Sequence, residues 1–158
     1  MFVFNLKFCS PKKTCCILAA GAVVVAVICV ISMVSIHNGS VPDVATCDEL
    51  GSYSLNAENA EEQCRFLNQF GLVADINSAD KDNIIIPAHF NLTYEQYNNL
   101  QKKVGLDLSR YSGKEAQKIT YTLKNSKTKY AVLVVYKGRV IGAHLTNGEY
   151  GQDNLPLF

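Results

Sequence analysis

Charge is missing from one long stretch of this chain, and several chemical signatures are missing from all of it. The 158 residues contain no Cys-x-x-Cys pair and no Cys/His spacing of the zinc type, so no structural metal is expected. They contain no His-Glu-x-x-His helix, no Gly-x-Ser-x-Gly elbow and no glycine-rich phosphate loop, which removes three large enzyme classes. Asp80 and Asp82 sit in the polar stretch Asn77 to Asp82 without the glycine and terminal glutamate of a calcium loop, and read as solvated acids. The three histidines, His37, His89 and His144, stand far apart. A reading as a small envelope enzyme therefore has only Cys64, His89 and His144 to work with. No cofactor is implied.

The uncharged stretch is Cys15 to Ile36, 22 residues bounded by Lys12 and Lys13 before it and His37-Asn38-Gly39 after it. At about 1.5 Å per residue a helix there is roughly 33 Å long, enough for a hydrocarbon core of about 30 Å. It reads as a transmembrane helix, because lipid offers no partner to a bare backbone amide. Residues 1–14 carry three lysines and no acid, whereas His37 to Asn56 carry three acids and no Lys or Arg. The positive-inside rule then places 1–14 in the cytoplasm and the remainder outside, as a signal anchor in the cell membrane. A cleaved signal peptide, releasing a secreted form, is the competing reading; the run exceeds the usual apolar region and lacks a small-x-small site. Val44-Ala45-Thr46-Cys47 approximates a lipoprotein box, but it stands well beyond the run.

Residues 37–52 combine Gly39, Ser40, Pro42 and Gly51 with scattered acids and read as a linker. One α+β domain is expected over 53–158. A first helix is expected from Glu58 to Phe70, with Ala60, Cys64, Leu67 and Phe70 inward and Gly71 as its stop. Leu72 to Ile76 and Asn83 to Ile86 read as short strands, the second ended by Pro87. A second helix from about Tyr94 to Val104 starts on a Thr93/Gln96 capping box, turns Tyr97, Leu100 and Val104 to one face, and stops at Gly105. Lys118 to Lys124, Tyr130 to Tyr136 and Arg139 to Leu145 read as a three-stranded antiparallel meander, with a tight turn at Lys137-Gly138 and a bulge or close contact at Gly142. The expected architecture is two helices packed on an antiparallel sheet that ends in this meander, preceded by one transmembrane helix.

Cys9 precedes the run, and beyond it only Cys47 and Cys64 remain as soluble thiols. An extracytoplasmic location permits a bridge between them; the alternative leaves Cys64 in a helix core and Cys47 free. Residues 37–107 hold eleven acids against four bases, and residues 108–158 hold eight bases against three acids. Lys114, Lys118, Lys124, Lys127, Lys129, Lys137 and Arg139 fall on the meander and its turns, where they form either a positive face or an ordinary solvated edge. Tyr130 and Tyr136, with Val132 and Val134, add an aromatic and apolar patch unless a helix or the tail covers them. Partners expected from these features are the bilayer through 15–36 and an envelope protein or anionic wall polymer. Nucleic acid is not expected outside the cell.

The chain also resembles an uncharacterised family, domain of unknown function 4830. The matching residues are Glu61-Glu62-x-x-Arg65-Phe66-Leu67-x-x-Phe70-Gly71, Ile86-Pro87-x-x-Phe90, Tyr97-Asn98-x-Leu100-Gln101, Gly105-x-Asp107-Leu108-x-x-Tyr111-x-Gly113-Lys114, and Gly138-x-Val140-Ile141-Gly142. They cover about residues 53 to 145. Family members tend to continue past the last glycine with a second glycine and an acid, where this chain has Ala143 and His144. The resemblance implies a membrane-tethered extracytoplasmic domain of Gram-positive bacteria and carries no catalytic residue.

Overall fold

Two antiparallel sheets and two α-helices make up the domain, in a computed structural model that describes residues 40–149 and 153–158. The run at 15–36 and the basic segment 1–14 lie outside the described residues, among which no helix is long and apolar enough to cross a membrane. Val41–Phe158 cluster as a unit of their own.

The segment 37–52, expected as a linker, is already paired in strands from Val44. Strands β1 (Val44–Cys47) and β2 (Gly51–Ser54) pair antiparallel from Val44↔Ser54 to Cys47↔Gly51. Gly51 takes φ +72° at the turn. This hairpin is held because Cys47 and Tyr53 are buried in the main core and the Tyr53 hydroxyl donates to the Val104 carbonyl. Polar, acid-bearing residues on its outer side gave it a linker's composition.

Helix α1 (Ala60–Gln69) starts on Asn59, whose side chain accepts from Glu62 N, and carries Glu61 and Glu62 in its first turn. Its fully buried residues are Gln63, Phe66 and Leu67, whereas Cys64 and Phe70 are only partly covered. The inward stripe is thus rotated from the expected one. Gln63 can face inward because both ends of its amide are bonded, Nε2 to the Ala57 carbonyl and Oε1 to the Tyr121 hydroxyl.

Leu72 to Ile76 forms no strand: a single bridge, Ala74↔Leu123, is followed by a 3-10 turn at Ile76–Ser78. Strand β3 (Asp80–Ile85) instead begins inside the expected polar turn, pairing antiparallel with the following strand from Asp80↔Thr120 to Ile85↔Glu115. Helix α2 (Leu92–Lys102) is capped by Asn91, accepting from Tyr94 N, and not by Thr93. Strands β4 (Glu115–Thr122), β5 (Tyr130–Tyr136) and β6 (Arg139–Thr146) form the expected meander, and β3 extends it to a four-stranded sheet in the order β3-β4-β5-β6. Lys137 and Gly138 both have positive φ, as a two-residue hairpin turn requires. Gly142 stands at a register shift opposite Val134, and a Cβ there would lie 3.0 Å from Leu108 Cδ2.

The sheet separates two clusters. On one face Ile119, Tyr121, Ala131, Leu133 and Val140 pack with α1, the hairpin and Val104. On the other, Ala116, Val134 and Ile141 lie under Ile86, Leu108 and Tyr111. The outer edge of β6 is closed at three places. Val140 N donates to the Leu55 carbonyl, Ala143 N donates to Gln101 Oε1 at 2.6 Å, and Leu145 exchanges two backbone bonds with Leu155. Open strand edges template aggregation, so these three contacts keep the sheet from growing. The β3 edge carries Asp80, Lys81 and Asp82 instead.

Candidate functional site

The second face of the sheet is covered over only part of its length. Beyond Val134, three cross-strand rows continue it: Lys118 beside Val134, then Thr120, Val132 and His144, then Thr122, Tyr130 and Thr146. Strict alternation places these side chains on one face. Together with Ser78, Asp80 and Asn154 they line a groove of about 510 Å³. Its floor is apolar at Val132 and its walls are mostly hydroxyl.

His144 is the one buried titratable group in this groove, 8 % exposed. Its Nδ1 is 3.0 Å from the Tyr97 hydroxyl of α2, and the two rings meet edge to face. Burial, and secondarily Lys118, lower the imidazole pKa to about 4. Burial, then Tyr94, raises that of the Tyr97 phenol. Both groups are therefore neutral at pH 7, and the phenol orients the ring.

A pH dependence follows from the sign of that shift. The folded pKa lies below the ordinary 6.5, so the unfolded chain takes up a proton that the folded chain refuses. Stability is full above about pH 6.5 and falls as the pH drops towards 4, by on the order of 3 kcal/mol in all. Replacing His144 with Gln is expected to remove this component of the slope between pH 6.5 and 4 in chemical denaturation of wild type and variant. An identical slope in both would show that the imidazole titrates normally.

The structure disperses the other sequence candidates. Lys118 and Tyr130 line the groove, with Lys118 paired to Asp82 at 2.7 Å. Lys127 and Lys129 lie on the turn before β5, where Lys124 pairs with Asp75 at 3.5 Å. Tyr136, Lys137 and Arg139 stand at the opposite end of β5, roughly 20 Å away for seven residues. Arg139 is held there by Asp43 and Glu58, at 2.7 and 3.2 Å. The expected positive face is thus divided between the two ends of β5, and Lys118, Lys124 and Arg139 are each paired to an acid. Nor is there an exposed patch on β5: Val132 and Val134 are buried, and Tyr136 packs on Tyr111 and under Lys137.

The catalytic candidates do not converge either. Cys64 belongs to α1 on the opposite face, and burial, then Glu61, push its thiol pKa up, away from a reactive thiolate. His89 lines a separate pocket with Asn98, Lys102 and Ser109. Cys47 and Cys64 are free thiols, Cys47 buried and Cys64 half-buried. Among the described residues no His/Cys/Asp/Glu group is placed to hold a metal ion.

Of the residues behind the resemblance, Tyr97 holds His144, and Asn98, Asp107 and Leu108 act in folding. Asn98 Nδ2 donates to Asp107 at 2.8 Å while its Oδ1 accepts from Leu108 N, which fixes the turn after α2. Burial raises the Asp107 carboxyl pKa, but hydrogen bonds from Ser109 and Asn98 outweigh it and hold the group low. The family model described as Domain of unknown function (DUF4830) matches residues 66–145, just over half of the chain. The chain belongs to the DUF4830 family. The match begins within α1 and ends at Leu145, so it takes in α2, the four-stranded sheet and the His144 wall of the groove, and leaves the hairpin outside. No curated protein and no solved structure matches the chain.

Proposed function

We propose that this DUF4830 protein is a single-pass protein of a Gram-positive cell membrane that presents the Val41–Phe158 domain outside the cytoplasm, where it acts by binding. The observation that carries the location is the 22-residue run without a charge, preceded by lysines and followed by acids. Binding is favoured over catalysis by the groove itself. It offers hydroxyls, one paired lysine and an imidazole held neutral, and neither Cys64 nor His89 reaches it. The ligand belongs to the envelope.

Topology is the test. With an epitope tag after Phe158, protease added to intact cells is expected to remove the tag, and the full-length chain is expected to sediment with membranes. Protection in intact cells with digestion in opened ones would reverse the orientation. A shortened soluble form would mean that the N-terminal run is cleaved.

A further inference from the structure

We infer that the groove on the sheet binds a neutral, polyhydroxylated ligand, a short saccharide, through Thr120, Thr122, Tyr130 and His144. This rests on the reading of the domain as a binding module and names what it binds. A sugar ring asks a site for an apolar floor and for groups around it that both donate and accept hydrogen bonds. Val132, 5 % exposed, supplies the floor between its row-mates Thr120 and His144. Among the described residues the hydroxyls of Thr120, Thr122 and Tyr130 make no hydrogen bond within the domain, so both their donors and their acceptors are open to a ligand. A partner with hydroxyl groups can satisfy all three.

His144 adds directed recognition. Its Nδ1 is engaged by Tyr97, which leaves Nε2 for the groove that the ring lines. A ring fixed by one hydrogen bond presents its other nitrogen in a set direction without ordering cost on binding. Charge argues against a polyanion: the groove's lysine is already paired with Asp82, and Asp80 brings to the same wall a carboxylate with no ion pair among the described residues. The lysines at 127 and 129 stand outside the lining. The volume of about 510 Å³ falls in the range of small-ligand sites, about 300–1,000 Å³.

The test uses the full chain in a zwitterionic detergent without sugar headgroups, observed by amide NMR. Tetrasaccharides of glucose, mannose and N-acetylglucosamine are titrated in turn, with polyphosphate as the anionic comparison. At least one saccharide is expected to shift Thr120, Thr122, His144 and Thr146 saturably, with an affinity unchanged by salt from about 0.05 to 0.5 M. The double variant Thr120→Val, Thr122→Val keeps the β-branched shape and is expected to bind at least tenfold more weakly. Tyr97→Phe, which frees the His144 ring, is expected to weaken binding several-fold while the groove residues keep their own shifts. Failure of all three saccharides to move these resonances overturns the inference, as does undiminished binding by the double variant. Shifts confined to Lys127 and Lys129 with polyphosphate, lost in salt, would overturn the saccharide site and leave the binding-module reading standing.

Discussion

Gly105→Ala is expected to destabilise the domain by about 2–5 kcal/mol, the sum of a conformational penalty of about 1–2 and an overpacking penalty of about 1–3 kcal/mol. Gly105 has φ +78°, a conformation that costs an L-residue about 1–2 kcal/mol. A Cβ on it would also stand inside van der Waals contact with the Thr46 carbonyl oxygen and 3.0 Å from its carbonyl carbon. Both atoms are backbone, so neither can swing aside. Thr46 belongs to β1, which makes this glycine the point where the N-terminal hairpin docks behind α2. Gly71→Ala is the control. It has φ +71° but nothing within 4 Å of the added carbon, so it is expected to cost only the conformational part, about 1–2 kcal/mol. Urea unfolding of the two variants separates the terms. Equal losses would mean that the hairpin is not seated against Gly105.

Gln101→Ala is expected to cost about 2–4 kcal/mol, and Gln101→Met clearly less. Gln101 is fully buried on α2, and its Oε1 accepts the Ala143 N–H from the outer edge of β6. Its Nε2 has no partner among the described residues. Truncation to alanine strands the Ala143 donor and opens a cavity. Methionine fills the space and also removes the orphaned amide, so only the lost acceptor remains against it. In both variants hydrogen exchange at Ala143 N–H should accelerate, because the edge is then open. Protection retained at that amide would show that another group closes the edge.

The meander was legible because alternation, a positive-φ turn at Lys137-Gly138 and the bulge at Gly142 are local properties. Both helices were legible from period and stop glycine, with Leu67 and Val104 inward as expected, but not the amides that are buried beside them. The reason is common to Gln63, Gln69, Asn98, Gln101 and Asn125. Gln69 brackets Ser54, accepting from its N–H and donating to its carbonyl, and Asn125 does the same between Val73 and Gly71. Gln69, Gln101 and Asn125 stand in for a backbone neighbour distant in sequence, Asn98 bonds the turn that follows its helix, and Gln63 joins the Ala57 carbonyl to the Tyr121 hydroxyl; a polarity pattern reads such residues as solvent-facing. The hairpin was missed for a related reason: its burial comes from Cys47 and Tyr53 docking against residues beyond α2, not from any run of its own. In the groove, Lys118, Tyr130 and His144 were visible as residues, but their meeting is set by the register of three strands and by Tyr97. The basic side chains counted together in sequence were separated by the length of β5.

Closure of the β6 edge has a kinetic side. The contacts that finish it join residues 42 positions apart at Gln101 and Ala143, while the Tyr53–Val104 bond that seats the hairpin spans 51. Long loops must be closed before such pairings repay their entropy, so the local β5–β6 hairpin can form early and wait with one margin uncovered. During that interval the bare β6 margin is where the nascent domain is open to pairing with a strand of another chain.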